Sequence, residues 1–281
     1  MNRATKLSRV FLITGCSTGI GRSMATALAA AGHVVYAGAR NIQALESQRS
    51  ETFIPVVLDV NDETQIDTAI DMITSVSGRL DVLVNNAGYG AMGPLVEMPM
   101  DQLKAQFQTN VFAPLLMTQK CLHLLRCSKG AQLVNIGSAA GVTPVPFSGA
   151  YCASKSALHT LTDVLRMELK SFDIHCMTVY PGAVSSEFGS NANNRLSETL
   201  QKDSLYKRVV TDIEARAKVS SGSPTTADMF ARALIAEILS AAPAANKRIG
   251  YGSLLMPLTK ILLPTRVREH LLRKKFHLTT I

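Results

Sequence analysis

Arg9-Val-Phe-Leu-Ile13-Thr-Gly15-Cys-Ser-Thr-Gly19-Ile-Gly21, followed by Arg22-Ser-Met-Ala-Thr-Ala-Leu-Ala-Ala-Ala31-Gly32, is the stretch that decides the fold. Arg9 to Ile13 is a short apolar strand. Arg22 to Ala31 is alanine-rich, with strong helix propensity, and Gly32 supplies the stop. An ordinary strand-to-helix turn accounts for one glycine, hardly for three at this spacing. Glycines let a backbone approach a pyrophosphate closely, and a helix N-terminus attracts its charge. Strand, glycine turn and helix together form the context that a dinucleotide fingerprint requires.

Working outward, strand and helix signals alternate. Val34–Ala37, Phe53–Leu58, Leu80–Val84, Leu133–Ile136, His175–Val179 and Arg248–Tyr251 read as strands. Asp62–Ser77, Asp101–Cys127, Ala150–Phe172 and Thr226–Leu239 read as helices. Repeated βαβ units predict an α/β fold with a doubly wound parallel sheet, a Rossmann fold. No linker interrupts residues 1–252, which read as one domain; residues 253–281 read as an extension.

Within the Ala150–Phe172 helix, Tyr151 and Lys155 lie one turn apart on the same face. A phenol titrates near pH 10, a poor value for proton transfer at neutrality, and a nearby ammonium favours the phenolate. Ser138 follows the apolar run Gln132–Ile136, so its hydroxyl falls at the C-terminal end of a strand, where open α/β sheets bind ligands. Alone, Tyr-x-x-x-Lys is a weak signal.

Jointly these motifs resemble the short-chain dehydrogenase/reductase family. Thr14-Gly-x-x-x-Gly-x-Gly21 matches its cofactor turn, Asn85-Asn86-Ala87-Gly88 its mid-sheet signature, and Pro181-Gly182 its post-strand turn. Asn110, Ser138, Tyr151 and Lys155 match its catalytic set in order and approximate spacing. The resemblance implies hydride transfer between a nicotinamide and a carbonyl–alcohol pair. Tyr151 would pass the proton, while Lys155 would lower the phenol's pKa and grip the nicotinamide ribose. Ser138 would bond the substrate oxygen, and Asn110 would hold a water linking the lysine to solvent. For the cofactor it implies Gly15, Gly19, Ile20 and Gly21 in the cofactor turn, where Ser17 and Thr18 are candidate hydroxyl donors to a 2′-phosphate. Asp59 and Val60 would meet the adenine, Asn86, Ala87 and Gly88 the adenosine ribose, and Val184, beyond Pro181 and Gly182, the carboxamide.

Rossmann proteins that prefer NAD carry an acid after the second strand for the ribose 2′-hydroxyl. This chain has Arg40 there instead, and a guanidinium matches a 2′-phosphate. NADP(H) is therefore expected over NAD(H). Residues 185–223, a polar stretch, occupy the place of the family's substrate lid. Phe188, Leu196, Leu200, Leu205 and Tyr206 within it are candidate covers for an apolar substrate. Tyr89, Met92, Leu95, Val142, Val145 and Phe147 are candidate pocket walls. A hydrophobic ketone, aldehyde or alcohol of steroid, retinoid or lipid type is the expected substrate. A reductase of small polar ketones and a non-catalytic nicotinamide sensor are the alternatives.

The chain's 281 residues, 47% apolar, suffice for one large core. Five cysteines, Cys16, Cys121, Cys127, Cys152 and Cys176, have no metal spacing. Reduced thiols and the lack of a secretory or membrane-spanning run predict a cytoplasmic protein. From Lys247 onward there are eight Lys/Arg and one acid, Glu269; removing these from 29 basic and 21 acidic residues leaves 21 and 20 upstream. The tail thus carries nearly all of the net +8. Its apolar runs Leu254–Leu258 and Ile261–Pro264 make contact with an anionic membrane surface one expectation, and packing over the substrate cleft or a partner subunit, with the charges solvated, another. Nucleic-acid binding is not expected, since no recognition module accompanies the charge. Broad apolar stripes predict a homodimer or homotetramer. They comprise Val111, Leu115, Leu116, Leu122, Leu124 and Leu125 on one helix, and Leu158, Leu161, Val164, Leu165 and Leu169 on the next. The alternative is a monomer whose tail covers those stripes.

Overall fold

The computed structural model describes residues 8–185, 204–218 and 223–279. Phe188, Leu196 and Leu200, and most of the predicted lid, lie outside them. Seven parallel strands form one sheet in the order β3-β2-β1-β4-β5-β6-β7. They are β1 (Val10–Thr14), β2 (Val34–Ala39), β3 (Phe53–Val57), β4 (Val82–Asn85), β5 (Ala131–Ile136), β6 (Ile174–Pro181) and β7 (Asn246–Ile249). Apolar residues on both faces of β1, β4 and β5 are buried, because helices cover each side of the sheet. One layer packs α1 (Gly19–Ala30) and the helix Ala227–Ile238 against β1, β2 and β6. The other packs α3 (Glu63–Val76) and α5 (Ala113–Arg126) against the opposite faces. A short α2 (Gln43–Glu46) separates β2 from β3. Asp62, just before α3, accepts from the backbone N–H groups of Thr64 at 3.0 Å and Gln65 at 3.2 Å.

Two predicted helices differ from expectation. Asp101–Cys127 is not continuous: α4 (Met100–Phe107) is joined to α5 by one π-helical turn, Gln108–Phe112. Pro114 explains the break, since proline has no N–H and its ring crowds the carbonyl one turn back. The next helix, α6 (Gly149–Glu168), tightens into a 3₁₀ turn, Leu169–Phe172, and ends at Asp173 in the left-handed region. After β6 come α7 (Val210–Ala217), α8 (Ala227–Ile238), α9 (Leu255–Leu262) and α10 (Thr265–Lys275).

The tail, α9 and α10, does not cover the predicted association stripes. Thr143 donates to the Met256 carbonyl at 3.0 Å, and Phe276 packs edge-on against Phe147 at 5.8 Å. Val111, Leu124, Leu125, Leu158 and Leu169 are ordinary core, which narrows the stripe argument. Leu115, Leu116, Leu122, Leu161 and Leu165 are half-buried, and the exposed large apolar side chains here are Met100, Phe112, Val164, Met167 and Phe172.

Candidate active site

Strand order reverses between β1 and β4, so the chain leaves the sheet in opposite directions and opens a crevice at their C-terminal ends. Thr14 knits its floor. Its hydroxyl accepts from the backbone N–H groups of Asn86 at 3.0 Å and Ala87 at 2.9 Å, while the Asn86 amide donates to the carbonyl of Thr14 at 2.8 Å. Gly15 takes a positive φ of 72°, and a Cβ there would stand 2.9 Å from the Ala87 Cα. At Gly21 a Cβ would stand 2.4 Å from the Gly15 carbonyl oxygen. The glycine turn therefore lies directly on the β4 turn.

This crevice fits a nucleotide pyrophosphate. Thr18 caps α1 without any side-chain hydrogen bond, and the first turn carries no acid, so no carboxylate opposes an anion there. Ser17, Thr18, Gly19 and Ile20 border the turn and are all at least partly accessible. Arg40, beyond β2, is exposed and has no hydrogen bond or ion pair among the described residues. Asp59 accepts from the Asn61 N–H at 2.9 Å, which shapes the turn after β3, and Val60 beside it is buried. Pro181 closes β6, the Gly182 N–H donates to the Ile249 carbonyl at 2.8 Å, and Val184 is buried beyond them.

The predicted catalytic residues converge behind this crevice. Ser138, Tyr151, Lys155 and Asn110 are all buried. The Lys155 ammonium donates to the Ile136 carbonyl at the end of β5 (2.7 Å), and burial pulls its pKa down to about 8. Burial pushes the Tyr151 phenol up to about 12; a hydrogen bond with Ser138 and the charge of Arg216 pull the other way. The expected depression of the phenol by Lys155 is not what this arrangement displays. The phenol is held protonated, while the lysine titrates close to neutrality. Asn110 sits in the π-helical turn, where widened turns often mark functional positions. Its amide accepts from the Tyr89 N–H at 3.1 Å, donates to the Tyr89 carbonyl at 2.9 Å and donates to the Ser154 hydroxyl at 3.1 Å. Asn110 thereby fastens the Gly88–Tyr89 segment to α6, and a Cβ at Gly88 would lie 3.5 Å from the lysine nitrogen.

Two side chains with a part in the site escaped the sequence. His159, one turn beyond Lys155, accepts the Ser138 N–H on Nε2 at 3.2 Å and lies against Tyr180, ring centres 4.6 Å apart. Burial first, and the charge of Lys155 second, pull its pKa down to about 4, so it is a neutral ring with its proton on Nδ1. The backbone makes room for it: a Cβ at Gly137 would stand 2.3 Å from Nε2, and one at Gly141 2.5 Å from Cε1. Arg216 of α7 is the second. Met92, Phe147 and Cys152 join Tyr151 in one apolar cluster, with Val145 and Tyr206 at its margin. Val209, Ile213 and Phe276 close it from the far side. Leu95 and Leu205 are largely exposed, so neither lines that cluster. Tyr89 packs instead with Ala91, Met98 and Ala150. All five cysteines are free thiols, and no metal-binding group occurs among the described residues.

A family model described as short chain dehydrogenase matches residues 9–197. The NADPH-dependent 3-dehydrocapnine reductase of Ornithobacterium rhinotracheale is 33% identical over 215 residues, 73% of this chain and 75% of that protein. The 3-ketodihydrosphingosine reductase of Bacteroides thetaiotaomicron is 34% identical over 185 residues, 66% of this chain and 67% of that protein. Among solved structures, a short-chain dehydrogenase from Streptomyces avermitilis superposes with a TM-score of 0.78 at 26% identity. That likeness covers 99% of this chain and 100% of the other.

Proposed function

The chain belongs to the short-chain dehydrogenase family, and on that premise we propose that it is an NADP(H)-dependent oxidoreductase interconverting a hydrophobic carbonyl compound and its alcohol. The observation that carries this reading is the buried Ser138–Tyr151 pair with Lys155, behind a crevice suited to a dinucleotide. Bound nicotinamide supplies or accepts the hydride. Gly15, Gly19 and Gly21 bring the backbone to its pyrophosphate, and Arg40 offers a free guanidinium to a 2′-phosphate. In the reductive direction Ser138 orients the substrate oxygen and the protonated Tyr151 phenol donates to the alkoxide as charge develops. Lys155 binds the ribose and, titrating near neutrality, resupplies the proton. NADPH dependence and reduction both appear in the names of relatives, which supports the cofactor and the direction. Met92, Val145 and Phe147 supply the apolar wall that favours a hydrophobic substrate.

Two finer expectations belong to the same reading. Leu255, Leu258, Ile261 and Leu262 on α9 are between 46% and 78% exposed, beside the basic side chains of α10. That pairing of exposed apolar and cationic groups suits peripheral contact with an anionic bilayer surface. Met100, Leu103, Phe107 and Phe112 line a shallow groove of about 680 Å³. With Val164 and Met167 exposed on α6, the helices α4 to α6 are suited to pair with a second copy.

The deciding experiment follows reduced-nicotinamide absorbance over a panel of long-chain and small polar ketones with NADPH and NADH. NADPH-linked reduction of the long-chain members, with the preference inverted in Arg40→Asp, is the expected result. No turnover of any carbonyl or alcohol with either cofactor refutes the reading.

A further inference from the structure

The proton relay and the dinucleotide crevice leave unused a half-buried cation whose charge reaches the phenol. Arg216 lies in the last turn of α7. Residues three and four apart share a helix face, so Arg216 lies on the side of Ile213, which packs into the cluster containing Tyr151 and Cys152. Its Nε is buried without a hydrogen-bond partner, and no ion pair reaches its guanidinium among the described residues. Neighbouring acids are spoken for or turned outward. Asp212 pairs with His277 at 2.9 Å, Glu214 is exposed, and Glu97 accepts from Ser204 and from the Leu205 N–H.

A guanidinium does not shed its proton at accessible pH. Arg216 is half-buried, and its buried Nε–H without an acceptor leaves part of a permanent charge unsatisfied, which a bound anion would complete. Its field falls on the cleft, where it acts on the Tyr151 phenol and the Cys152 thiol. The surrounding walls, Met92, Val145, Phe147 and Ile213, offer no anion of their own. The dinucleotide's phosphates belong to the glycine turn and α1, on the other side of the phenol.

We infer that Arg216 receives an acidic group of the substrate, a carboxylate or a phosphate or sulfonate of like charge. The substrate is then an amphiphile whose anionic end rests on α7 while its carbonyl reaches Ser138 and Tyr151. This rests on the oxidoreductase reading and narrows its substrate class. It also reconciles the apolar cluster around the phenol with a cation beside it: the chain of the substrate covers the walls, and its acid neutralises the arginine.

The test compares a medium-chain keto acid, 7-oxooctanoate, with its methyl ester, in the native protein and in Arg216→Gln and Arg216→Lys. A hydrogen bond to a charged group is worth about 10- to 100-fold in an equilibrium constant. The native enzyme is expected to prefer the acid by that factor. Arg216→Gln should lose at least about tenfold more on the acid than on the ester, chiefly in KM, and Arg216→Lys should recover part of it. Octanoate should raise the native protein's Tm, 1-octanol much less, and Arg216→Gln should abolish the octanoate effect. Equal losses on acid and ester, with a shifted pH profile, would mean that Arg216 acts on the phenol, and would overturn the inference. Should Arg216→Gln fail to fold, a native enzyme that prefers the ester overturns it equally. Ketone reduction with no preference for acids defeats this inference alone. Octanoate binding without turnover of any carbonyl defeats the oxidoreductase reading alone.

Discussion

Lys155 lets the balance between stability and function be measured at one side chain. Its ammonium is buried, and burial holds its pKa near 8 against an ordinary 10.5. At about 1.4 kcal/mol for each pKa unit, holding it charged at pH 7 costs the fold about 3 kcal/mol. Lys155→Met removes that cost, keeps much of the stem's packing and leaves the Ile136 carbonyl short of one donor, a loss of about 1–3 kcal/mol. The variant should therefore be as stable as the native protein at pH 7, or more stable by up to about 2 kcal/mol. The pH dependence sharpens the case. Between pH 8 and 10.5 the unfolded lysine keeps a proton that the folded one has lost, so native stability rises through that window relative to the variant. From pH 7 to 9.5 the gap should move in the native protein's favour by about 2 kcal/mol. Urea denaturation at the two pH values measures it, and a nicotinamide assay in parallel should find the variant inactive. A variant destabilised by several kcal/mol at pH 7, with a difference that does not change with pH, would refute the picture of a lysine held charged against its environment.

Other expectations concern separate parts of the molecule. Tyr151→Phe keeps the ring but removes the transferable proton, so turnover should fall by about 10² or more while NADPH still binds, as nucleotide titration would report. His159 titrates near pH 4 when folded and near 6.5 when unfolded, so the unfolded state takes the proton first. Its contribution is complete above pH 6.5 and should be lost as pH falls toward 4, on the order of 3 kcal/mol; denaturation of the native protein and His159→Gln at pH 7.5 and 4.5 isolates it. Co-sedimentation with phosphatidylserine vesicles should exceed that with phosphatidylcholine and fall in Ile261→Glu; equal recovery on both lipids removes the charge argument. Met167→Glu should dissociate an oligomer seen by sedimentation velocity, and an unchanged boundary would place the contact elsewhere.

How much of this was legible in advance depends on the range of the interaction. Strands buried on both faces are mostly apolar, so Val82–Val84 and Leu133–Val134 announce themselves, and parallel pairing follows from the helices between them. Tyr151 and Lys155 are likewise readable, since helical spacing alone puts them on one face. The π-helical turn at Asn110 is subtler, although Pro114 is its local cause. His159 and Arg216 had no local signature. One earns its role from a backbone amide twenty-one residues away, the other from a lid helix folding over a phenol sixty-five positions earlier. The lysine's effect on that phenol misled for a related reason: spacing brought the two side chains to one face but could not say that the ammonium would turn to the Ile136 carbonyl.

The fit of the His159 ring between residues 137 and 141 also constrains how this chain can change. Any side chain at either glycine meets the imidazole well inside contact distance, so alanine at 137 or 141 is closed to a protein that still carries His159 in this pose. Replacing the histidine would open neither position, because a Cβ at 137 would still stand 2.8 Å from the Val179 carbonyl oxygen, and one at 141 would stand 2.9 Å from the Lys155 carbonyl carbon and the Ser156 nitrogen. Both glycines are thus fixed twice, by the ring and by the backbone behind it, so the histidine can vary without freeing either, while neither glycine can vary without moving the main chain around Ser138.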